Sequence, residues 1–434
     1  MGGDSTGKVV AVQLASKIHG EEYSRELAAC FRNYLEKFKE ITVVPRVVTS
    51  FDEVKSIAHE FKGYYPLIIF LTGGTSKLAR ALLHYLEEDS AVFIAHSEHN
   101  SLPSAISARA RLEIEGISSW IFTCHNPKDS RCGNVSEEAA RIAIAASAIR
   151  GAKVCLVGLE EEPSEVEGFR RAFNAEVDII SPDDFDSLVK SKTDSADVSE
   201  FLDMLTAAVG IDANANRSIL KEIGAVYAAL KTLLTSEGYN AIAINCFPYL
   251  IKHKVTPCLA LAALNSRGYV AACEADLTAT FLMMVSKHLT GSSGWIANPS
   301  GTEDYRLYLA HCTAPIDLLS NSRILDHFES GYPYGLTGQL RHNDITVTSV
   351  DYEFTSLAAA KAKVLKSGLL SGTMCRTQAE VLLTFPAKVF PQVALANHHV
   401  IMPGDLRRYL KILAHTLGLS YLDYEELARE VLTE

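Results

Sequence analysis

The segment Gly268-Tyr269-Val270-Ala271-Ala272-Cys273-Glu274-Ala275-Asp276 passes from an apolar run directly into two acidic residues. We predict a buried parallel strand over its apolar part, 269–273. Apolar positions at helical spacing follow, so we expect Asp276 to cap a helix that runs to Leu289. Glu274 then lies at the carboxyl end of a strand, where open α/β sheets carry their chemistry. A solvated loop acid is the competing interpretation of Glu274.

Strands and helices alternate on the N-terminal side of this segment. Apolar strand patterns, each followed by an amphipathic helix pattern, lie at 9–14, 41–48, 67–71 and 92–95. A second series begins at 153–157. The alternation predicts doubly wound parallel sheets in two α/β domains, 1–151 and 152–291, the second of which carries Glu274. We interpret the acidic segment 183–200 as a surface excursion.

The pattern changes after about residue 291, where short strand patterns are separated by Gly and Pro. This change predicts a smaller, β-rich C-terminal domain over residues 292–434. Helical patterns at 404–416 and 423–432 close the chain.

The composition argues against several classes of protein. The chain has 434 residues, 48% of them hydrophobic, and its net charge of -11 argues against nucleic-acid binding. No apolar run reaches the ~20 residues of a membrane helix, and no signal-peptide pattern is present at the start. Nine scattered cysteines indicate free buried thiols in a reducing compartment. We therefore expect a cytoplasmic protein without nucleic-acid or membrane partners.

Two loops of the first domain carry polar groups at strand ends. Thr72-Gly73-Gly74-Thr75 lets backbone N–H groups approach an anion or a hydroxylated ligand, but it lacks the lysine of a P-loop. The segment His96-Ser97-Glu98-His99-Asn100 offers His96 and His99 to a metal ion or a polyol. A plain tight turn and a capped, solvated turn are the respective alternatives.

Acid, amide and imidazole groups also come from well-separated segments of the second half. They are Glu274, 246–249, 256–258, Trp295-Ile296-Ala297-Asn298-Pro299-Ser300, His311-Cys312 and Asn397-His398-His399. Such groups together suit a site for a divalent cation. Each segment is a weak signal by itself, because spacing in the sequence does not show convergence in space.

Taken in order, these segments resemble the L-fucose isomerase family, in particular its shorter fucose isomerase-like members. The matching motifs are Thr72-Gly73-Gly74-Thr75, His99-Asn100-Ser101-Leu102-Pro103, Pro257-Cys258, Cys273-Glu274-Ala275-Asp276, His311-Cys312, His327-Phe328-Glu329-Ser330 and His398-His399 with Gly404-Asp405. The resemblance covers nearly the whole chain. It implies two Rossmann-like α/β domains, a β-rich C-terminal domain and a homo-oligomer, a trimer or hexamer, with sites where subunits meet.

The resemblance also implies a chemistry. In that family a glutamate, an aspartate and a histidine hold Mn²⁺, and the two carboxylates move a proton between C1 and C2 of a sugar through an ene-diol. The glutamate matches Glu274, the histidine matches His398 rather than His399, and the aspartate falls on Asn298. An amide oxygen can bind a cation, but it cannot act as a base near neutral pH.

Three explanations of Asn298 are open. A carboxylate of the same segment, Glu303 or Asp304, replaces the aspartate. Alternatively, Glu274 alone moves the proton. In the third explanation isomerisation and the metal are lost, and the protein is a non-catalytic carbohydrate-binding protein or performs a different reaction on a carbohydrate.

We therefore expect a metal-dependent aldose–ketose isomerase, an intramolecular oxidoreductase that acts on a sugar or sugar derivative. The expected catalytic residues are Glu274, Asn298 and Asp304. Mn²⁺ or another divalent cation is assigned to Glu274, Asn298 and His398. The expected substrate-binding residues are Asn100, His311, His327 and Trp295. A satisfied buried histidine is the alternative for His311, and core packing is the alternative for Trp295.

Overall fold

The computed structural model describes residues 8–210 and 215–433, which form two compact units. The N-terminal unit contains the described residues of Thr6–Arg150 and Lys411–Leu419. The C-terminal unit contains those of Gly151–Leu410 and Ser420–Glu434. The division into three domains stays a prediction.

The N-terminal unit is built on a parallel sheet with the strand order β2-β1-β3-β4-β5. Its strands are β1 (Val9–Leu14), β2 (Ile41–Val43), β3 (Tyr65–Phe70), β4 (Ser90–His96) and β5 (Ser118–Cys124). Its helices are α1 (Glu21–Leu35), α2 (Phe51–Glu60), α3 (Ser76–Leu86), α4 (Ser101–Ile114) and α5 (Ser130–Ile149). Strands β1, β3 and β4 are buried along their whole length, as in parallel sheets that are covered on both faces.

The C-terminal unit begins with a second parallel sheet, in the order β7-β6-β8-β9. Its strands are β6 (Lys153–Val157), β7 (Glu176–Ile180), β8 (Ala241–Ile244) and β9 (Ala271–Cys273). The helices of this region are α6 (Glu165–Phe173), α7 (Pro182–Ser191), α8 (Ala196–Ala208), α9 (Arg217–Ser236), α10 (Cys246–His253), α11 (Cys258–Ser266) and α12 (Leu277–Thr290). The predicted α/β alternation is confirmed in both parallel sheets.

The segment 183–200 lies largely at the surface, but most of it is helical, in α7 and α8, which the sequence analysis did not predict. Phe185, Val198 and Phe201 are buried. The side chain of Ser181 accepts a hydrogen bond from the backbone N–H of Asp184 and caps α7. Each helix buries only a narrow apolar stripe, so charged outer residues dominate the sequence pattern.

The remaining strands form an antiparallel barrel. They follow one another in the order β14-β17-β10-β11-β16-β15, and β15 pairs again with β14, which closes the ring. The bounds are β10 (Trp295–Glu303), β11 (Arg306–His311), β12 (Leu319–Asp326), β13 (Pro333–Leu340), β14 (Asp344–Val350), β15 (Ser356–Gly368), β16 (Thr377–Leu383), β17 (His399–Pro403) and β18 (Ser420–Asp423). Strands β12 and β13 pair as a separate ribbon, and β18 joins β15 in parallel. The remaining helices are α13 (Phe390–Val393), α14 (Arg407–Thr416) and α15 (Tyr424–Thr433). The expected β-rich C-terminal region is confirmed.

Helix α12 connects the second parallel sheet to the barrel. Every residue from Leu277 to Ser286 is buried, and the helix contacts β8 and β9 as well as β14 and β17. A helix that is buried on all sides must avoid unpaired charges, and residues 277–286 of α12 carry no charged side chain. Asp276 caps the helix as predicted, and Gly291 ends it in the left-handed conformation. The N-terminus of α12 is therefore held in a fixed position beside the barrel.

Cys124 and Cys132 form a disulfide between the end of β5 and the start of α5. The expectation that all the cysteines are free thiols is wrong for this pair. The two residues are eight positions apart in an irregular connection, and no motif marked them. The other seven cysteines are free, and five of these are buried.

Among the described residues, no helix combines the length and the apolar character that a bilayer span requires. Helices α5 and α9 have 20 residues each, but both carry several charged side chains.

A glycine between α12 and β10 tests how tightly the helix is held. Gly294 has φ +72°, and a Cβ there would lie 2.9 Å from the carbonyl oxygen of Ile401 and 2.9 Å from Cγ1 of Val400. We expect Gly294→Ala to lower the free energy of unfolding by about 3 kcal/mol, measured by denaturant titration. Gly291→Ala is the matched control, because Gly291 has φ +83° but a Cβ there would meet no neighbouring group within 4 Å. Its cost should be about 1 kcal/mol, and equal losses would contradict the close packing.

Candidate metal centre

The turn between β9 and α12 carries two acidic residues in a constrained backbone. Glu274 and Ala275 both have positive φ, 59° and 51°. Two successive left-handed residues turn the chain sharply, so that Glu274 leaves the end of β9 while Asp276 reaches the first turn of α12. Because neither residue is glycine, this turn costs conformational energy, which the buried helix behind it offsets.

Three side chains from separate elements converge at this turn. The Oε1 atom of Glu274 lies 3.5 Å from Nε2 of His311, the last residue of β11. It lies 3.7 Å from Nε2 of His398, which directly precedes β17. One ligand atom from each residue can be chosen such that all three lie within 4.8 Å of one another. The barrel thus brings two imidazoles to a carboxylate of the parallel sheet.

Asp276 orients one of these imidazoles with the oxygen that its capping role leaves free. Its Oδ1 accepts hydrogen bonds from the backbone N–H of Ala279 at 2.7 Å and from the Thr278 hydroxyl at 2.6 Å. Its Oδ2 lies 2.7 Å from Nδ1 of His398. Capping and the contact with His398 are compatible, because each oxygen of Asp276 serves one role. A carboxylate on Nδ1 directs the Nε2 lone pair of a histidine towards a metal ion.

The donor atoms fit a metal ion. Nε2 of His398 is buried and has no hydrogen-bond partner among the described residues, although it points at Glu274. With metal–ligand bonds of about 2.1 Å, two ligands of a tetrahedral site lie about 3.4 Å apart, which is close to both Glu274–histidine distances. Glu274 is 31% exposed and both histidines are 4% exposed, so the open side of the group faces solvent at the carboxylate.

The charges of the group support one another. Burial alone would raise the pKa of Glu274, but His311 and His398 lower it below the usual range. Burial alone would also raise the pKa of Asp276, but the hydrogen bond and the charge of His398 lower it. Burial lowers the pKa of His398, but the two carboxylates outweigh it and raise that pKa to about 9. Without a metal ion, a proton on His398 therefore holds the two carboxylates together.

His399 is not part of the group. Its Nε2 lies 2.9 Å from the hydroxyl of Tyr424, and burial lowers its pKa to about 4. The two adjacent histidines thus point to different surroundings, and His398 is the one beside Glu274.

Asn298 lies close to the group but is already engaged. It is in β10, where it pairs with Ala310, and its Oδ1 accepts a hydrogen bond from Nδ2 of Asn397 at 2.9 Å. Asn397 directly precedes His398. His311, which the sequence analysis placed among the substrate-binding residues, is grouped with Glu274 and His398, whereas Asn298 is not. The position of His311 at a strand end was the signal available for it.

Asp304, one of the expected catalytic residues, lies away from Glu274, His311 and His398. The segment after Trp295 is a strand, and Asp304 is in the turn between β10 and β11, at the opposite end of that hairpin from His311. Strand geometry places this turn about 16 Å from His311. Glu303, also at this end, accepts a hydrogen bond from the Tyr308 hydroxyl at 2.9 Å.

The other predicted substrate-binding residues have diverse surroundings. Trp295 is fully buried in the core, so it does not form a wall of an open site. His327 is buried, interacts with the thiol of Cys312 and hydrogen bonds through Nδ1 to Ser330. Asn100 belongs to the N-terminal unit, where it precedes α4.

The histidine loop of the N-terminal unit offers no comparable group among the described residues. His96 is buried, and its Nε2 lies 3.0 Å from the carbonyl oxygen of Leu71. A cavity of about 690 Å³ does lie in this unit, along α1 and the segment that follows β2. None of the predicted site residues lines it.

No protein-family model matches the chain, and no curated protein matches its sequence. The resemblance to the L-fucose isomerase family stays a prediction.

The His398 pKa gives the centre a defined pH dependence. Below about pH 9 a metal ion must displace the proton that His398 holds between the carboxylates. We expect the affinity for Co²⁺ or Zn²⁺, measured by competition with a chromophoric chelator, to rise by about tenfold per pH unit between pH 6 and 8. An affinity that is independent of pH in this range would contradict the proton–metal competition.

Asp276→Asn isolates the orienting role of this carboxylate. Asparagine caps helices as well as aspartate, so we expect α12 and the thermal stability to change little. Metal affinity should fall by about 10- to 100-fold, because the negative partner of Nδ1 is lost. The pH dependence should also move to lower pH, since Asp276 raises the pKa of His398. An unchanged pH profile would show that Asp276 serves only as a cap.

Proposed function

We propose that the protein is a metal-dependent enzyme of the aldose–ketose isomerase type, acting on a sugar or sugar derivative. The observation that carries the proposal is the group Glu274, His311 and His398 at the carboxyl end of β9. It combines a partly exposed carboxylate, a buried donor nitrogen without a hydrogen-bond partner among the described residues, and a position where α/β sheets bind ligands.

A divalent cation would be held by these three residues, and it would polarise the carbonyl group of a hydroxycarbonyl substrate. The chain's own contribution is then the movement of a proton. Glu274 directs Oε1 at both histidines, which leaves Oε2 as the oxygen for proton transfer. In its ionised form this carboxylate can accept a proton, as a base must.

Glu274 is the single proton carrier in this proposal. Asn298 has no charge, and its amide oxygen already accepts a hydrogen bond from Asn397. Asp304 is at the other end of the β10–β11 hairpin. A single base is sufficient when a proton leaves one carbon and returns to its neighbour on the same face of the ene-diol.

The types of ligand atom, one carboxylate oxygen and two imidazole nitrogens, favour some cations over others. Mn²⁺ prefers oxygen ligands, whereas two imidazoles and one carboxylate suit Zn²⁺ and the later transition metals. We propose a divalent transition-metal ion, with Mn²⁺ as the ion implied by the resemblance and Zn²⁺ as the one favoured by His311. Metal analysis of the purified protein by mass spectrometry distinguishes the two.

The finer features implied by the resemblance belong to the same proposal. They are a Rossmann-like character of the two parallel sheets, a cytoplasmic location and a homo-oligomer, trimer or hexamer. The strand–helix alternation in both sheets supports the first. Seven of the nine cysteines are free, which supports the second, whereas the Cys124–Cys132 disulfide argues against it.

A second candidate is a metal-dependent cleavage or dehydration of a carbohydrate-like substrate. The amide of Asn298 favours it, because an amide cannot serve as the second proton carrier that isomerisation uses in the resembling family. Aldol cleavage needs a polarised carbonyl and one base, which the same group can supply.

Glu274→Gln tests the proposal against a matched control. We expect the metal-loaded variant to lose at least about 100-fold in turnover on any aldose or ketose that the wild type converts, because the amide accepts no proton. Asp304→Asn is the control, since it removes a carboxylate at the remote hairpin turn and asparagine tolerates the left-handed φ of 50°. Its turnover should stay within about twofold of the wild type.

The measurement is product analysis by NMR in ²H₂O, which separates the two candidate reactions. Isomerisation gives a substrate isomer with deuterium at the exchanged carbon, whereas cleavage gives two shorter products. Full activity of Glu274→Gln with bound metal would refute the role of Glu274 as base. Metal binding without turnover of any tested carbohydrate would favour the non-catalytic carbohydrate-binding alternative.

A further inference from the structure

The cavity of about 690 Å³ in the N-terminal unit lies between one face of α1 and the segment that follows β2. Its volume is typical of small-molecule binding sites. The cavity extends along the whole helix, from Glu21 in the first turn to Glu36 just after the last. Ala28 and Ala29 lie in the middle of this face, and their small side chains leave room for a ligand. Ser16, just beyond the carboxyl end of β1, lines one end of the cavity, at the edge where α/β sheets bind ligands.

The three acidic side chains that line the cavity are engaged within the protein. Glu21 forms an ion pair with Arg25 at 2.6 Å. Glu53 accepts hydrogen bonds through Oε2 from the backbone N–H and hydroxyl groups of the two residues that precede α2. The carboxylate of Glu36 lies 3.9 Å from Nε of Arg32. Each negative charge of the lining is thus matched by a donor of the same chain.

Positive charge remains available in the same lining. Lys17 and Arg46 have no hydrogen-bond or ion-pair partner among the described residues. The side chain of Arg32 makes a single hydrogen bond within the described part of the chain, from Nη2 to the carbonyl oxygen of Pro45 at 2.6 Å. Its guanidinium group is therefore fixed in place but keeps donors for a ligand. Because Pro45 directly precedes Arg46, the two arginines belong to the same part of the cavity, where positive charge is in excess.

We propose that this cavity binds a small organic anion, a phosphate monoester or a carboxylate, at a site separate from the candidate metal centre. Arg32 and Arg46 would hold the anionic oxygens, because guanidinium groups match phosphate and carboxylate in geometry and stay charged. The uncharged part of the ligand would lie along Ala29 and Val47, and Lys17 would bind a polar group at the other end. The cavity and the candidate metal centre have no residue in common, so a ligand can occupy either one without the other.

The experiment is isothermal titration calorimetry of the full chain with four probes: glucose 6-phosphate, glucuronate, inorganic phosphate and glucose. EDTA is present throughout, so that binding of a sugar to a metal ion does not contribute. We expect one of the two organic anions to bind at one equivalent, at least about tenfold more tightly than inorganic phosphate or glucose, because only it fills the cavity and meets the arginines. Glucose 6-phosphate as the tighter ligand would identify the phosphate monoester, and glucuronate the carboxylate. Equal affinity for inorganic phosphate, or no binding of any probe, would overturn the proposal.

Two variants separate the charge of the cavity from its volume. Arg46→Gln should weaken binding of the preferred anion by about tenfold or more, because one charged donor is lost. Ala29→Phe should abolish binding by filling the cavity, and it should leave the melting temperature nearly unchanged because Ala29 is exposed. Arg109→Gln is the charge-matched control, since Arg109 pairs with Glu113 on α4 and does not line the cavity; it should bind like the wild type. Wild-type affinity in a folded Ala29→Phe variant, or equal losses in Arg46→Gln and Arg109→Gln, would reject the cavity as the binding site.

Discussion

The hydrogen bond between Asp276 and His398 connects the start of helix α12 to the barrel, at the residue before strand β17. One oxygen of Asp276 caps α12, and the other lies 2.7 Å from the imidazole that the barrel supplies. The carboxylate is largely buried, with 13% of its side chain exposed, so it needs both partners: burial of an unpaired charge would cost several kcal/mol. The pairing therefore fixes the start of α12, the ring orientation of His398 and the position of Glu274 between them.

The barrel contributes because its strand order brings distant residues to one end. Strand β17 lies between β10 and β14, and β11 lies on the other side of β10. His398 precedes β17, and His311 ends β11, so both imidazoles emerge where these strands meet the β9–α12 turn. Helix α12, buried against both the second sheet and the barrel, keeps this end in place. The site is thus built on strand ends and a helix start, not on long loops.

The features that could be predicted are those that depend only on residues close together in the sequence. The strand before Glu274 and the cap at Asp276 follow from a short apolar run and helical spacing, and both are present. His311 could not be recognised as the third member of the group, since its place depends on barrel pairings between distant segments. Asp304 was chosen as a candidate because it is near Asn298 in sequence. The two residues are at opposite ends of the extended strand β10, whereas in a compact loop they would lie close together. The helices of 183–200 were missed because their outer faces are so polar.

The order of synthesis has a consequence for how the centre is assembled. Strand β17 inserts between β10 and β14, so neither neighbour can complete its backbone pairing until Pro403 has left the ribosome. His398, which enters the site with this strand, is therefore the last of the three candidate ligands to arrive. A nascent chain holds only Glu274 and His311, too few donors for tight cation binding. A cation at the proposed centre would therefore bind only after barrel closure and would not template the earlier steps of folding.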